Sequence, residues 1–191
     1  MRTEILLFDG FDELDAIGPY EVLRTAGLEA ELVRLDGPGE VVASHGAVLR
    51  VARGLGEPDL VIVPGGGWND RERGGAWHEA QRGALPAALA DRHAGGARVA
   101  SVCTGAMLLV AAGLLSDRPA TAHHSVLDQL AEAGARVVDA RVVDDGDVLT
   151  AGGVTSGIDL ALHLVERQLG VEAADRVARE IEHERRGRVA A

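Results

Sequence analysis

One cysteine lies where a strand-like apolar run turns helical: "RVASVCTGAMLLVAAGLL", residues 98 to 115, with Cys103 at the change. A thiol on a sharp strand-to-helix turn can act as a nucleophile. The turn projects the side chain, and the amide of the next residue can face an oxyanion, as in the second half of a G-x-S-x-G elbow. Ser101, Thr104, Gly105 and Ala106 supply the small neighbours such a turn needs. The N-terminus of the following helix adds partial positive charge, which lowers a thiol pKa from about 8.5 toward neutrality and predicts a thiolate at physiological pH. The competing reading is a small buried hydrophobe, a common fate of free cysteine.

Two further stretches can supply the rest of a site. "VIVPGGGW" ends an apolar run in Pro64 and three glycines, Gly65, Gly66 and Gly67, whose bare backbone lets amides approach a ligand, or else makes a tight turn with positive φ. "DGFDELDAIGPYEVL" carries Asp9, Asp12, Glu13 and Asp15 ahead of a helix start. Most of these carboxylates read as solvated or helix-capping groups. Asp15 differs, because Leu14, Ala16 and Ile17 surround it with apolar residues. A carboxyl buried beside a thiolate cannot easily ionise as well, so the two groups would share one proton and place an acid next to a nucleophile.

The elements that must position these residues alternate along the chain. "EILLFD" (4 to 9) reads as a strand, "GPYEVLRTAG" (18 to 27) as a helix with Pro19 in its first turn, and "EAELVRL" (29 to 35) as a strand. Two short β-like pieces follow, "EVVAS" and "AVLRVA", then the strand "DLVIV". Residues 76 to 94 have helical spacing, "ARVASVC" is another buried strand, and "TGAMLLVAAGLL" returns to helix. "HSVLDQLAEAG" is a helix, "ARVVDARVVDDGDVLTAGG" reads as strands turning at Asp145-Gly146, and two helices, "TSGIDLALHLVERQLG" and "VEAADRVAREIEHERRGR", close the chain. This order predicts an α/β fold with a mostly parallel sheet and helices on both faces, whose ligands sit outside the carboxyl ends of the strands. With no repeat or low-complexity linker, residues 1–191 read as a single domain.

Composition narrows the function classes. Hydrophobic residues make up 47% and charged residues 26%, a globular mix. The net charge of -11 repels phosphate backbones and anionic lipid heads, so neither nucleic acid nor a membrane is an expected partner. A single cysteine excludes an internal disulfide and a thiolate zinc ribbon. The opening "MRTEILLFDGFDELD" turns acidic after four apolar residues, unlike a signal peptide, and the expected location is the cytoplasm.

The histidines and tryptophans invite other readings. His123 and His124 are adjacent, and an i,i+1 pair cannot share one helix face, so no metal site is expected. His45, His78 and His93 read as solvated, and His163, inside an apolar stripe, as a satisfied core or interface residue. Trp68 and Trp77 flank the glycine loop and either wall a pocket or pack on the next helix. The charge runs "DRERGG" and "HERRGR" read as solvated faces.

Taken together, "LDAIGPYEVL", "LVIVPGGG", "SVCTGAMLLVAAGLLSDRPATAHH" and "TAGGVTSGIDLALHLVE" resemble the DJ-1/PfpI superfamily in order and spacing, over nearly the whole chain. That resemblance implies a flavodoxin-like three-layer sandwich. Asp at 15, Thr104 after the cysteine and "GVTSGIDLALHLVE" look most like its isonitrile hydratase group. It implies Cys103 as nucleophile, Asp15 as acidic partner, Thr104 as polar neighbour, and the Gly66 and Thr104 amides as anion-stabilising donors. Gly65, Gly67, Trp68 and His123 would line the pocket, with no cofactor and no metal. The expected activity is hydration of an isonitrile to an N-substituted formamide. The alternatives are glyoxalase or deglycase chemistry on 2-oxoaldehydes, which would want a better base near the cysteine than Thr104, or a small-molecule or oxidant sensor. Two departures stand out: "ATAHH" places His124 where that group carries an aromatic residue, and the C-terminus lacks its Tyr and Pro-rich tail. The same elbow occurs in ligand domains of AraC-type regulators, but only about 20 residues follow Gly170, too few for two helix-turn-helix motifs. Superfamily members are typically homodimers, and the helix "YEVLRTAG" is the expected contact surface.

Overall fold

The chain order of elements is β1 (Arg2–Leu7), α1 (Glu13–Thr25), β2 (Glu29–Arg34), β3 (Gly39–Val42), β4 (Val48–Val51), β5 (Leu60–Val63), α2 (Ala76–Arg82), α3 (Ala84–Ala94), β6 (Arg98–Val102), α4 (Ala106–Ala111), β7 (Pro119–Ala120), α5 (Leu127–Glu132), β8 (Arg136–Val137), β9 (Val142–Asp144), β10 (Val148–Ala151), α6 (Ser156–Leu169), α7 (Val171–Glu180) and β11 (Val189–Ala190). The computed structural model describes residues 1–71, 74–187 and 189–190. Parts of the charge runs read above as solvated faces, at Glu72, Arg73 and Arg188, lie outside the described residues.

Seven strands form one sheet in the order β11-β9-β10-β6-β5-β1-β2, in which only the β9–β10 pair is antiparallel. Every residue of β5 and β10 is buried, as expected of strands covered on both faces. One helical group, α1, α6 and α7, packs together; a second, α2 to α5, packs together along the other side of the chain's order. This is the α/β, mostly parallel, three-layer arrangement expected from the alternation. β3 and β4 form a separate antiparallel hairpin, and β7 pairs with β8.

Two boundaries differ from the expectation. α1 begins at Glu13, not Gly18, because Asp12 caps it, accepting the Leu14 amide at 3.1 Å. Pro19 therefore lies inside the helix, where its fixed φ fits and the missing N–H costs only the bond to the Asp15 carbonyl. Close packing against α6 holds that turn: a Cβ on Gly157 would meet the Pro19 ring at 3.2 Å. Residues 76 to 94 form two helices, because Gly83 takes φ 75 and ends α2 in the left-handed conformation.

Within "YEVLRTAG", Val22 and Leu23 are buried in the chain's own core. The C-terminal segment is clipped to the sheet by Asp159, which is buried. It binds Arg141 Nε at 2.8 Å, His183 Nε2 at 3.1 Å and the Arg186 amide at 3.3 Å, just before β11 joins β9. No helix among the described residues is long and apolar enough to cross a membrane.

Candidate active site

β6 ends at Val102, and the chain turns through residues 103–105 in a single 3-10 turn before α4. Cys103 sits at that turn with φ 60, a left-handed conformation that costs a non-glycine residue about 1 kcal/mol or more. Neighbouring strands hold it there. The Cys103 amide donates to the Gly152 carbonyl at 2.9 Å, and its carbonyl accepts the His123 amide at 3.3 Å. The amides of Val154 and Thr104 face the sulfur and favour its charged form.

Asp15, in the first turn of α1, is fully buried. Its Oδ2 accepts the Gly65 amide at 2.9 Å. Oδ1 is buried without a hydrogen-bond partner, and the Cys103 side chain lies beside the carboxyl. Burial, reinforced by the charge of Asp12, raises the Asp15 carboxyl to about 7 despite the Gly65 amide.

The expectation of a thiol lowered by the following helix is corrected here. Cys103 is 7% exposed, and burial, with the negative charge of Asp15 added to it, pushes its thiol up to about 12. The two sulfur-facing amides and a short helix do not offset that desolvation. The carboxyl therefore loses its proton first, near 7, and between that point and about 12 the pair holds one proton on the sulfur and one negative charge on Asp15.

The glycine loop reaches this pair by its backbone. A Cβ on Gly65 would meet the Thr104 amide and Oγ1 at 2.5 Å, so only glycine allows the loop to lie on the elbow. Gly66, at φ 110, donates its amide to Thr104 Oγ1 at 3.0 Å. That donor, expected to face an anion directly, is therefore engaged by the threonine hydroxyl, which keeps its own proton to offer onward. The loop is anchored further by Asp12, whose amide donates to the Gly65 carbonyl at 2.8 Å.

Cavities flank the elbow. One of about 470 Å³ is lined by Gly67, Asp9, Gly10, Ser44 and Asp70. Another, of about 430 Å³, borders Gly152, Gly153, His124 and Arg141. Cys103 lines neither. Trp68 is buried and donates its indole N–H to Gln129 Oε1 at 3.0 Å, so it packs against the α5 side instead of standing free as a pocket wall. His93, read above as solvated, is half-buried on Asp147 at 2.6 Å, where Arg118 also binds. His45 is exposed and binds Glu13 at 2.7 Å, while His163 binds Asp144 at 2.7 Å. Among the described residues no three His, Cys, Asp or Glu side chains gather as a metal would require.

Sequence reasoning missed the Gly152–Val154 loop as a site element. Its signal was available, because "AGG" after β10 repeats the pattern of glycines at a strand's carboxyl end. Glu13 was also underread: its carboxylate takes the amides of His45 at 3.0 Å and Ala47 at 3.3 Å, tying the β3–β4 hairpin to the helix that carries Asp15.

Comparison with known proteins places these features in a family context. The sequence profile of the DJ-1/PfpI family matches residues 1–167. An isonitrile hydratase of Pseudomonas putida is 35% identical over 187 residues, covering 96% of this chain and 78% of its own. A deglycase of Pyrococcus abyssi is 32% identical over 152 residues, covering 77% of this chain and 87% of its own. Among solved structures, a ThiJ/PfpI family protein from Pseudomonas syringae superposes with a TM-score of 0.85 at 28% identity, covering 96% of this chain and 75% of its own.

Proposed function

The chain belongs to the DJ-1/PfpI family, and from that premise we propose that it is a cysteine-dependent lyase that hydrates a small neutral isonitrile to an N-substituted formamide. The observation that carries this reading is the buried Asp15–Cys103 pair, which holds one movable proton and one negative charge around neutral pH. Similarity over nearly the whole chain to a relative named isonitrile hydratase supports it.

The chemistry needs one acid, one nucleophile and one water. Cys103 Sγ forms a bond to the terminal isonitrile carbon as the thiol proton passes through the Asp15 carboxylate to that carbon, giving a thioimidate and leaving Asp15 a free carboxylate. Water, hydrogen-bonded to the Thr104 hydroxyl, then adds through oxygen to the same carbon. The π pair moves to nitrogen, and one water proton travels through Asp15 to that nitrogen. Finally the hydroxyl proton passes to Asp15 as the carbon–sulfur bond breaks, releasing the formamide and restoring the singly protonated pair. The Thr104 and Val154 amides, which already face the sulfur, stabilise it as it leaves.

Deglycase or glyoxalase chemistry is the second reading, favoured by the relative of that name. It calls for a base beside the thiol stronger than the Thr104 hydroxyl. Turnover of a simple alkyl isonitrile and of methylglyoxal, by wild type and Cys103→Ala, separates the two. Formamide production that Cys103→Ala retains in full overturns the covalent mechanism, and methylglyoxal consumption without formamide overturns the substrate.

A further inference from the structure

One arginine grips both ends of the loop beside the thiol. β10 runs in register with β6, Ala151 beside Val102, so the turns after the two strands begin at neighbouring positions. Cys103 stands at the first turn, and the segment Gly152–Thr155 forms the second. Gly152 is held from two sides: its carbonyl accepts the Cys103 amide at 2.9 Å, and its amide donates to the Arg141 carbonyl at 2.9 Å. At the other end of the segment, Arg141 Nη2 donates to Thr155 Oγ1 at 3.1 Å. Arg141 therefore bonds the loop at its start through the backbone and at its end through the guanidinium.

Val154 lies between those two anchors and is the strained part of the loop. It has φ 38, a left-handed conformation that a β-branched residue takes only where its surroundings impose it. In that conformation its amide faces the Cys103 sulfur. With α6 fixed after it, a return to negative φ would have to turn the Gly153–Val154 peptide plane and carry that N–H off the sulfur. The bond to Thr155 has no other evident task. Arg141 pairs with the buried Asp159, through Nε at 2.8 Å and Nη2 at 2.7 Å, and that pair clips the C-terminal segment. The second proton of Nη2 is the one Thr155 takes, so the clip does not use it. Thr155 stands at the N-cap of α6 but makes no side-chain cap bond; its hydroxyl oxygen serves Arg141 instead.

We propose that Arg141, steadied by Asp159, is a positioning residue that holds the loop at Thr155 and so keeps the strained Val154 amide on the Cys103 sulfur, where it stabilises negative charge as the sulfur attacks and as it leaves. This rests on Cys103 being the nucleophile of the reaction proposed above, whichever substrate it attacks. The action is indirect, through Thr155 and the Val154 peptide. A fixed N–H aimed at the sulfur needs no reorganisation when charge develops there, and the anchors at Gly152 and Thr155 supply that fixity.

Arg141→Ala would strip the buried Asp159 of its partner and endanger the fold, so Thr155 carries the test. In the full chain, Thr155→Val removes the acceptor alone, at an exposed position that makes no cap bond, and Thr155→Ser restores it. The first readout is alkylation of Cys103, the sole cysteine, by iodoacetamide at about pH 9, below the thiol's pKa of about 12, where the rate follows the thiolate fraction. Thr155→Val is expected to react about fivefold more slowly than wild type, and Thr155→Ser at the wild-type rate, the size of one weakened hydrogen bond. A purely structural bond predicts the opposite sign, since a loosened loop exposes the thiol and speeds its alkylation. Unchanged or faster alkylation in Thr155→Val overturns the proposal, as does slow alkylation in Thr155→Ser. In turnover of an alkyl isonitrile, Thr155→Val should lower kcat about fivefold with KM within twofold, and a wild-type kcat overturns the role in the reaction. If wild type makes no formamide, the isonitrile reading falls, while the alkylation rates still decide for or against the positioning.

Discussion

The Gly65 amide donates to Asp15 Oδ2 at 2.9 Å, and this bond joins the acid on α1 to the loop that lies on the thiol's elbow. The next amide, of Gly66, donates to Thr104 Oγ1 at 3.0 Å. Two consecutive amides thus divide between the proton-bearing residue and the neighbour of the nucleophile. Anything that moves this loop moves both.

Asp15 makes stability fall as pH rises. Its folded pKa of about 7 lies above the ordinary value of 3.8, so the folded chain holds a proton that the unfolded chain releases between those values. Its contribution is full below pH 4 and is lost as pH climbs through 7, by about 4 kcal/mol at 1.36 kcal/mol per pKa unit. Asp15→Asn should remove this slope. Chemical denaturation of both proteins from pH 4 to 8 measures it, and parallel curves would contradict the buried-acid assignment.

The same pair sets the activity profile. Below about 7 Asp15 is protonated and cannot take the thiol's proton as sulfur attacks, so kcat/KM should rise about tenfold per pH unit and level off above that point. Cys103→Ala should be inactive throughout. A profile flat from pH 5 to 9 in wild type would show that the pair does not supply the nucleophile.

Backbone strain at the elbow gives a third expectation. Since Cys103 has φ 60, Cys103→Gly should be more stable than Cys103→Ala by about 1 kcal/mol, the reverse of the ordinary helical order. Thermal melts of the two variants decide it. Equal melting temperatures would mean that the turn relaxes freely.

Gly65→Ala tests the close approach directly. The added Cβ would stand 2.5 Å from the Thr104 amide and hydroxyl, so the loop must retreat and give up the bonds to Asp15 and Thr104. The expected cost is about 2–3 kcal/mol of stability, typical of overpacking a buried contact, with loss of most activity. A variant of wild-type stability and rate would place the loop away from the chemistry.

Much of the framework was legible in residue order. The apolar run at Leu60–Val63, the turn into Cys103 and the lone carboxyl of Asp15 amid apolar neighbours are local patterns, and strand and helix periodicity reports them. The start of α1 was not legible, because Pro19 reads as a first-turn residue until the Asp12 cap and the packing of Gly157 are seen. The break at Gly83 was hidden for a like reason: glycine inside a periodic stretch marks a bend only when φ turns positive.

The sequence by itself determined which residues stand at the carboxyl ends of β1, β5 and β6, since alternation and glycine placement are properties of neighbouring positions. Only the tertiary structure decided that Gly66 serves Thr104, that Val154 faces the sulfur, and that Cys103 is raised instead of lowered. Direction and burial explain the difference. A hydrogen bond depends on the orientation of backbone set by the packing of distant elements, and a pKa depends on how much water the whole fold removes.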